Sequence, residues 1–69
     1  MNVTITFTPD RHGTLHVSVN GHSLEIVIFP PNETYKSAYI SSADDRMKSA
    51  RYSSVENAQR RIVKTLSAA

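Results

Sequence analysis

Sixty-nine residues, 39% of them hydrophobic and carrying a formal net charge of +2, suffice for one small domain over 1–69 that buries only about 60% of its unfolded surface. Cysteine is absent, which excludes a disulfide framework or a thiolate metal centre, and no apolar run approaches the roughly 20 residues of a membrane span. The opening stretch MNVTITFTP alternates instead of joining a basic flank to an apolar run, so the expectation is a cytoplasmic protein with no membrane partner.

Asn2 to Thr8 predicts a first strand, with Val3, Ile5 and Phe7 inward and Thr4, Thr6 and Thr8 outward. Threonine suits such a half-exposed strand. Pro9 to Gly13 predicts a five-residue loop, Pro9 ending the ladder. With Thr8 opposite Thr14, Phe7 meets Leu15, Ile5 meets Val17 and Val3 meets Val19.

Thr14 to Phe29 predicts a β-hairpin. Asn20-Gly21 interrupts two alternating runs, and this pair is preferred in type I′ turns because both central residues need φ > 0. The turn sets Val19 against His22, Val17 against Leu24 and Leu15 against Ile26. Leu15, Val17, Val19, Leu24, Ile26 and Ile28 then share one face. On the other, His16 lies opposite Glu25, Ser18 opposite Ser23 and Thr14 opposite Val27. Val27 and Phe29 point away from the core, to be covered by the following loop or left as an exposed contact patch.

Pro30-Pro31-Asn32-Glu33 stops the third strand. Thr34 to Ser42 and Arg46 to Tyr52, separated by Ala43-Asp44-Asp45, predict a second hairpin whose register is open. Tyr39 shares a face either with Ala50 and Tyr52 or with Met47 and Arg51, depending on loop length. From Ser53 onward the pattern is helical: Ser53 and Glu56 fit a capping box, and Val55, Ala58, Ile62, Leu66 and Ala69 form one stripe, which Val63 widens. Asn57, Arg60 and Lys64 fall opposite. The stripe is expected to pack on Ile5, Phe7, Leu15, Val17, Leu24 and Ile26. The fold class is therefore α+β: an antiparallel meander of three strands, a second β-hairpin, and one C-terminal amphipathic helix packed on the sheet.

Charge is unevenly spread. Residues 1–35 set Arg11 against Asp10, Glu25 and Glu33; residues 36–69 set Lys36, Arg46, Lys48, Arg51, Arg60, Arg61 and Lys64 against Asp44, Asp45 and Glu56. A basic half points to an anionic partner, nucleic acid or an acidic protein surface. Catalytic signals are absent from the pattern. His16 with Glu25 has the composition of a base–carboxylate pair or of two metal ligands, but such cross-strand pairs are ordinary on a solvated sheet. Asp44-Asp45 suits a turn. Two glycines in the whole chain cannot build a phosphate-cradling loop. The expectation is no enzyme, no metal and no cofactor.

The basic and aromatic mixture of Tyr35, Lys36, Tyr39, Arg46, Lys48, Arg51 and Tyr52 carries the functional lead, since bases contact phosphates and tyrosines stack on nucleobases or anchor interfaces. The competing structural role is for the tyrosines to close the small core. Tyr52-Ser53-Ser54-Val55-Glu56-Asn57-Ala58 resembles the strand-to-helix junction of small sheet-plus-helix DNA-binding modules of the integrase-arm type. The resemblance spans less than a third of the chain. The upstream strands lack the alternating base-reading arginines of such modules, so no family is assigned.

These features favour a non-enzymatic binding protein that docks on a larger protein or nucleoprotein complex and inhibits or modulates it. Short phage and mobile-element inhibitors, anti-CRISPR-like in kind, act this way. The expected contact residues are Lys36, Tyr39, Arg46, Lys48, Arg51, Arg60 and Lys64. A direct nucleic-acid-binding regulator is the alternative, and a self-associating structural subunit the third reading. The expected state is a monomer or weak homodimer.

Overall fold

The computed structural model describes residues 3–67. Five strands, β1 (Ile5–Pro9), β2 (Leu15–Val19), β3 (His22–Phe29), β4 (Ala38–Ser42) and β5 (Ala50–Tyr52), precede one helix, α1 (Val55–Ser67). The strands form one antiparallel sheet in chain order, and α1 covers one face. This is the α+β meander, hairpin and C-terminal helix that the residue pattern predicts.

Asn20 (φ 51°) and Gly21 (φ 83°) form the tip of the β2–β3 hairpin, with Val19 facing His22 and Ser18 facing Ser23. The tip is tied to the chain ahead of β1: the Thr4 amide donates to Asn20 Oδ1 at 2.9 Å, and the Asn20 amide donates to the Thr4 carbonyl at 2.8 Å.

Farther from the tip the expected pairing is overturned. His16 faces Val27 instead of Glu25, and Leu15 faces Ile28 instead of Ile26. The register shifts between His16 and Ser18, where Val17 alone spans the stretch from Leu24 to Ile26. Such a bulge bends the strand and increases its twist. Because the surplus is two residues, every side chain keeps its face, and Ile26 and Ile28 are both fully buried.

The β1–β2 pairing also differs by an even step: Ile5 faces Val19, Phe7 faces Val17 and Pro9 faces Leu15. Asp10 is the cause. Its Oδ1 accepts the amides of His12 at 2.8 Å and Thr14 at 3.1 Å, and its own amide donates to the Thr14 carbonyl at 3.0 Å. The loop therefore starts after Pro9, which ends an edge strand where a missing N–H is tolerated. Val3, expected inward, precedes β1 and is 37% exposed. Asn2, given to the first strand, lies outside the described residues.

The second hairpin is shorter than expected and its loop longer. Ala38 faces Tyr52, Tyr39 faces Arg51, and Ile40 faces Ala50. The segment from Arg46 to Ser49 is loop, not strand. Ser42 organises it: its hydroxyl donates to the Met47 carbonyl at 2.8 Å and accepts the Asp44 amide at 3.1 Å, while the Ser42 amide donates to Ser49 Oγ at 2.9 Å. These bonds turn the buried Met47 into the core. Of the four residues left open by the register, Arg51 shares the outer face with Tyr39, Met47 turns into the core, and Ala50 and Tyr52 face the helix side.

The helix is capped one residue later than expected. Ser54 Oγ accepts the Asn57 amide at 3.1 Å and the Ser54 carbonyl accepts the Ala58 amide at 3.1 Å, so Ser54 is the N-cap and Asn57, not Glu56, holds the third helical position. Ala58 and Ile62 are buried, and Val55 and Leu66 pack at the margin. Val63, expected to widen the stripe, is 42% exposed; Ala69 lies outside the described residues. The helix lies over β3, β4 and β5, not over β1 and β2. Val17, Ile26, Ile28, Ala38, Ile40, Met47, Ala58 and Ile62 form the core, with Ile5, Phe7, Leu15 and Leu24 only partly buried beside it. Among the described residues no helix is long and apolar enough to cross a membrane.

Candidate binding surface

With α1 on one face, the residues of opposite parity line an outer face that no element packs over along its whole length. At one corner of it three consecutive strands align Phe29, Tyr39 and Arg51 in a single cross-strand row. The Phe29 and Tyr39 rings stack, with centroids 6.4 Å apart and planes 19° from parallel. The Arg51 guanidinium carbon lies 5.2 Å from the Tyr39 ring centroid and 4.7 Å from that of Tyr35.

Tyr35 reaches Arg51 because the β3–β4 loop folds back. Asn32 Oδ1 accepts the amides of Thr34 at 2.8 Å and Tyr35 at 2.7 Å, and the Asn32 amide donates to the Tyr35 carbonyl at 2.7 Å. Asparagine supplies this local turn through its own side chain. The result is a cleft of about 290 Å³ lined by Phe29, Pro30, Asn32, Tyr35, Tyr39 and Arg51, with Ser37 at its wall. Phe29 remains 45% and Tyr35 54% exposed. The loop following β3 thus overhangs the apolar patch without closing it.

Arg51 has no carboxylate partner among the described residues, where the ion pairs are His16 with Asp10 and Arg46 with Asp44. Its position over aromatic faces is favourable by about 0.5–1 kcal/mol per contact. The rings hold the cation in place while its N–H donors stay available.

The other expected contact residues do not join this cluster. Lys36 is exposed in the β3–β4 loop beside it. Arg46 is engaged with Asp44, donating from Nε to Oδ1 and from Nη2 to Oδ2, both at 2.9 Å. This bidentate pair holds the Asp44 carboxyl down to about 2, through the Arg46 side-chain hydrogen bond first and the Arg46 amide second, and raises Arg46. Arg46 and Lys48 line a groove with Met47, Ala50, Tyr52, Arg61 and Thr65 on the helix side of β5. Arg60 and Lys64 lie on the outer surface of α1 beside Val63, Glu56 and Gln59. The seven residues therefore occupy three surfaces, and Tyr39 and Arg51 are the pair joined by a cation–π contact.

Two members of the cluster, Phe29 and Tyr35, fall outside the expected contact set. Phe29 carries a sequence signal in its outward parity, which it shares with Val27. Tyr35 belongs to the basic and aromatic mixture of the sequence, and the Asn32 turn returns it to the sheet.

At the same end of the sheet, toward its β1 edge, His16 Nε2 lies 2.9 Å from Asp10 Oδ2, replacing the expected pair with Glu25. The side-chain hydrogen bond to His16 and then the His12 amide hold the Asp10 carboxyl below its usual value, with smaller contributions from the Thr14 amide and the His16 charge. Among the described residues no group of three His, Cys, Asp or Glu side chains is placed to hold a metal ion.

No protein-family model, curated protein or solved structure matches the chain.

Proposed function

We propose that the protein is a non-enzymatic binding domain that docks on a larger protein or nucleoprotein complex and modulates it by occupying that partner's surface. The observation that carries this reading is the row of Phe29, Tyr39 and Arg51 beneath Tyr35: half-exposed rings around an unpaired guanidinium on a face the helix leaves open. Aromatic residues and arginine dominate the energetics of protein interfaces. A ring already stacked and an arginine already seated lose less side-chain freedom on binding than free ones. The modulation is inhibitory where the covered surface is the partner's working surface.

Affinity capture from native lysate, with and without nuclease, tests the reading. The same discrete partner should be retained by wild type and by Arg60→Ser/Lys64→Ser, survive nuclease, and be lost with Tyr39→Ala/Arg51→Ser. Equal retention by both double variants removes the outer face as the docking surface.

A second reading, direct nucleic-acid binding, draws on the same stacked rings, because every base has a π-face, and on the exposed Lys36 that follows Tyr35 in the chain. It requires affinity that falls steeply with salt as phosphate contacts release counterions. Salt-insensitive binding counts against it.

A further inference from the structure

We propose that the open edge of β5 accepts an extended acidic segment of the partner protein as a sixth strand, with one of its carboxylates received by Arg51. The inference rests on the docking reading above and names the chemistry of the partner.

The sheet ends at β5. Among the described residues, no backbone hydrogen bond outside the strand ladders reaches Ala50, Arg51 or Tyr52. An unpaired strand edge offers N–H and C=O groups to another chain. What distinguishes this edge from the opposite one is charge. The β1 sequence ITFTP holds no ionisable side chain. The β5 edge has Arg51 on the outer face, and Lys48 and Arg61 in the groove on the helix side. Arg46 lines the same groove but is neutralised by Asp44, so three cations with no carboxylate partner among the described residues flank three strand residues.

Strand geometry converts that arrangement into a sequence requirement. Side chains of an added strand alternate between the two faces. The residue opposite Arg51 points to the outer face, and its two neighbours point into the groove beside Lys48 and Arg61. Three consecutive acids satisfy all three cations. Carboxylate–arginine pairing of this kind is charge-assisted and geometrically selective. A second copy of this chain is disfavoured, because pairing β5 with itself about Arg51 places like charges across the new ladder. Nucleic acid is less well matched. The outward positions of β1 to β4 carry Glu25 and His16 but no lysine or arginine, so no continuous basic track leads away from Arg51.

The test is an NMR titration of the full chain with a blocked peptide of three consecutive glutamates flanked on each side by valine and threonine. A lysine-for-glutamate version and an oligothymidylate run in parallel. The expected result is concentration-dependent shifts of the Ala50, Arg51 and Tyr52 amides with slowed exchange there, seen with the glutamate peptide only. Arg51→Ser should weaken binding about tenfold, the scale of one charge-assisted hydrogen bond. Arg51→Glu/Lys48→Glu/Arg61→Glu, all exposed positions, should transfer preference to the lysine peptide; an unchanged amide spectrum elsewhere confirms that this variant folds. Absence of shifts at β5, or equal shifts with both peptides, overturns the inference. Shifts at Phe29, Tyr39 and Arg51 with oligothymidylate alone overturn it too, and leave the docking face standing with a nucleic-acid partner. The docking reading fails separately, when Tyr39→Ala/Arg51→Ser retains the lysate partner.

Discussion

The two faces of one sheet show opposite uses of the same strands. On the inner face Val17, Ile26, Ile28, Ala38 and Ile40 are fully buried against one another and α1. On the outer face their immediate neighbours include Phe29, Tyr39 and Arg51, which pack mainly on each other. Residues one position apart in sequence thus belong to different energetic categories. Ile40 holds the fold together, and Tyr39 is available to a partner. Alternation of period 2 makes this separation possible, so stability and binding can be perturbed independently.

Substitutions sharpen the contrast. The largest effect should come from the inner face: Ile26→Ala or Ile40→Ala removes a fully buried side chain and should cost about 2–5 kcal/mol. That is a large part of the roughly 3–10 kcal/mol available to a domain of this size. Urea unfolding measures it, and a loss below about 1 kcal/mol contradicts the assigned core. Gly21→Ala comes next, at about 1–2 kcal/mol. Its added Cβ meets nothing within 4 Å, so the cost arises wholly from the positive φ, and a shifted urea midpoint with an unchanged slope is the expected signature.

On the outer face, Tyr39→Ala or Arg51→Ser should cost no more than about 1 kcal/mol, the scale of an exposed cation–π contact. A loss comparable to that of Ile40→Ala would collapse the distinction between the faces. The smallest effect is electrostatic, and its pH dependence lies in the acid range. Asp44 is held at about 2, below its ordinary 3.8, so its contribution is complete above the ordinary value and disappears as pH falls toward about 2. Asp44→Asn should therefore flatten the acid limb of urea midpoint against pH in that window. Asp10, also lowered, retains part of the slope. Identical acid limbs would show that the Arg46 pair contributes nothing.

Face assignment was legible in the residue pattern because it depends only on alternation, and Asn20-Gly21 declared its turn through the backbone conformation that pair favours. Register was legible only next to that turn. A displacement of two residues leaves every apolar side chain on its own side, so hydrophobic patterning has no means of detecting the bulge opposite Val17 or the extra step between β1 and β2. Both loop errors have a common physical source. Asp10 and Ser42 bond backbone groups with their side chains, an alternative to ladder pairing that short polar residues offer wherever they occur. The helix cap moved for a related reason, since Ser53 and Ser54 are equally competent acceptors and only packing selects between them. Of the candidate surface, Tyr39 and Arg51 were readable as residue types, but their contact depended on the β4–β5 register. Tyr35 joined them only through the fold-back at Asn32. The remaining bases, one continuous group in the sequence, are distributed by the fold over separate surfaces.

The surplus in β3 has a consequence for how this chain can vary in length. A strand that carries two extra residues opposite Val17 already holds a place where a change of length can be taken up without altering the pairing on either side. Removing one residue between Ser23 and Ile26 would leave a one-residue bulge opposite Val17, with the flanking side chains still on their own faces. Removing two would straighten the strand and leave both faces intact. Length variation should therefore be tolerated opposite Val17 and in the loops that Asp10 and Ser42 hold, and not at regularly paired positions, where a slip of one residue exchanges core for surface.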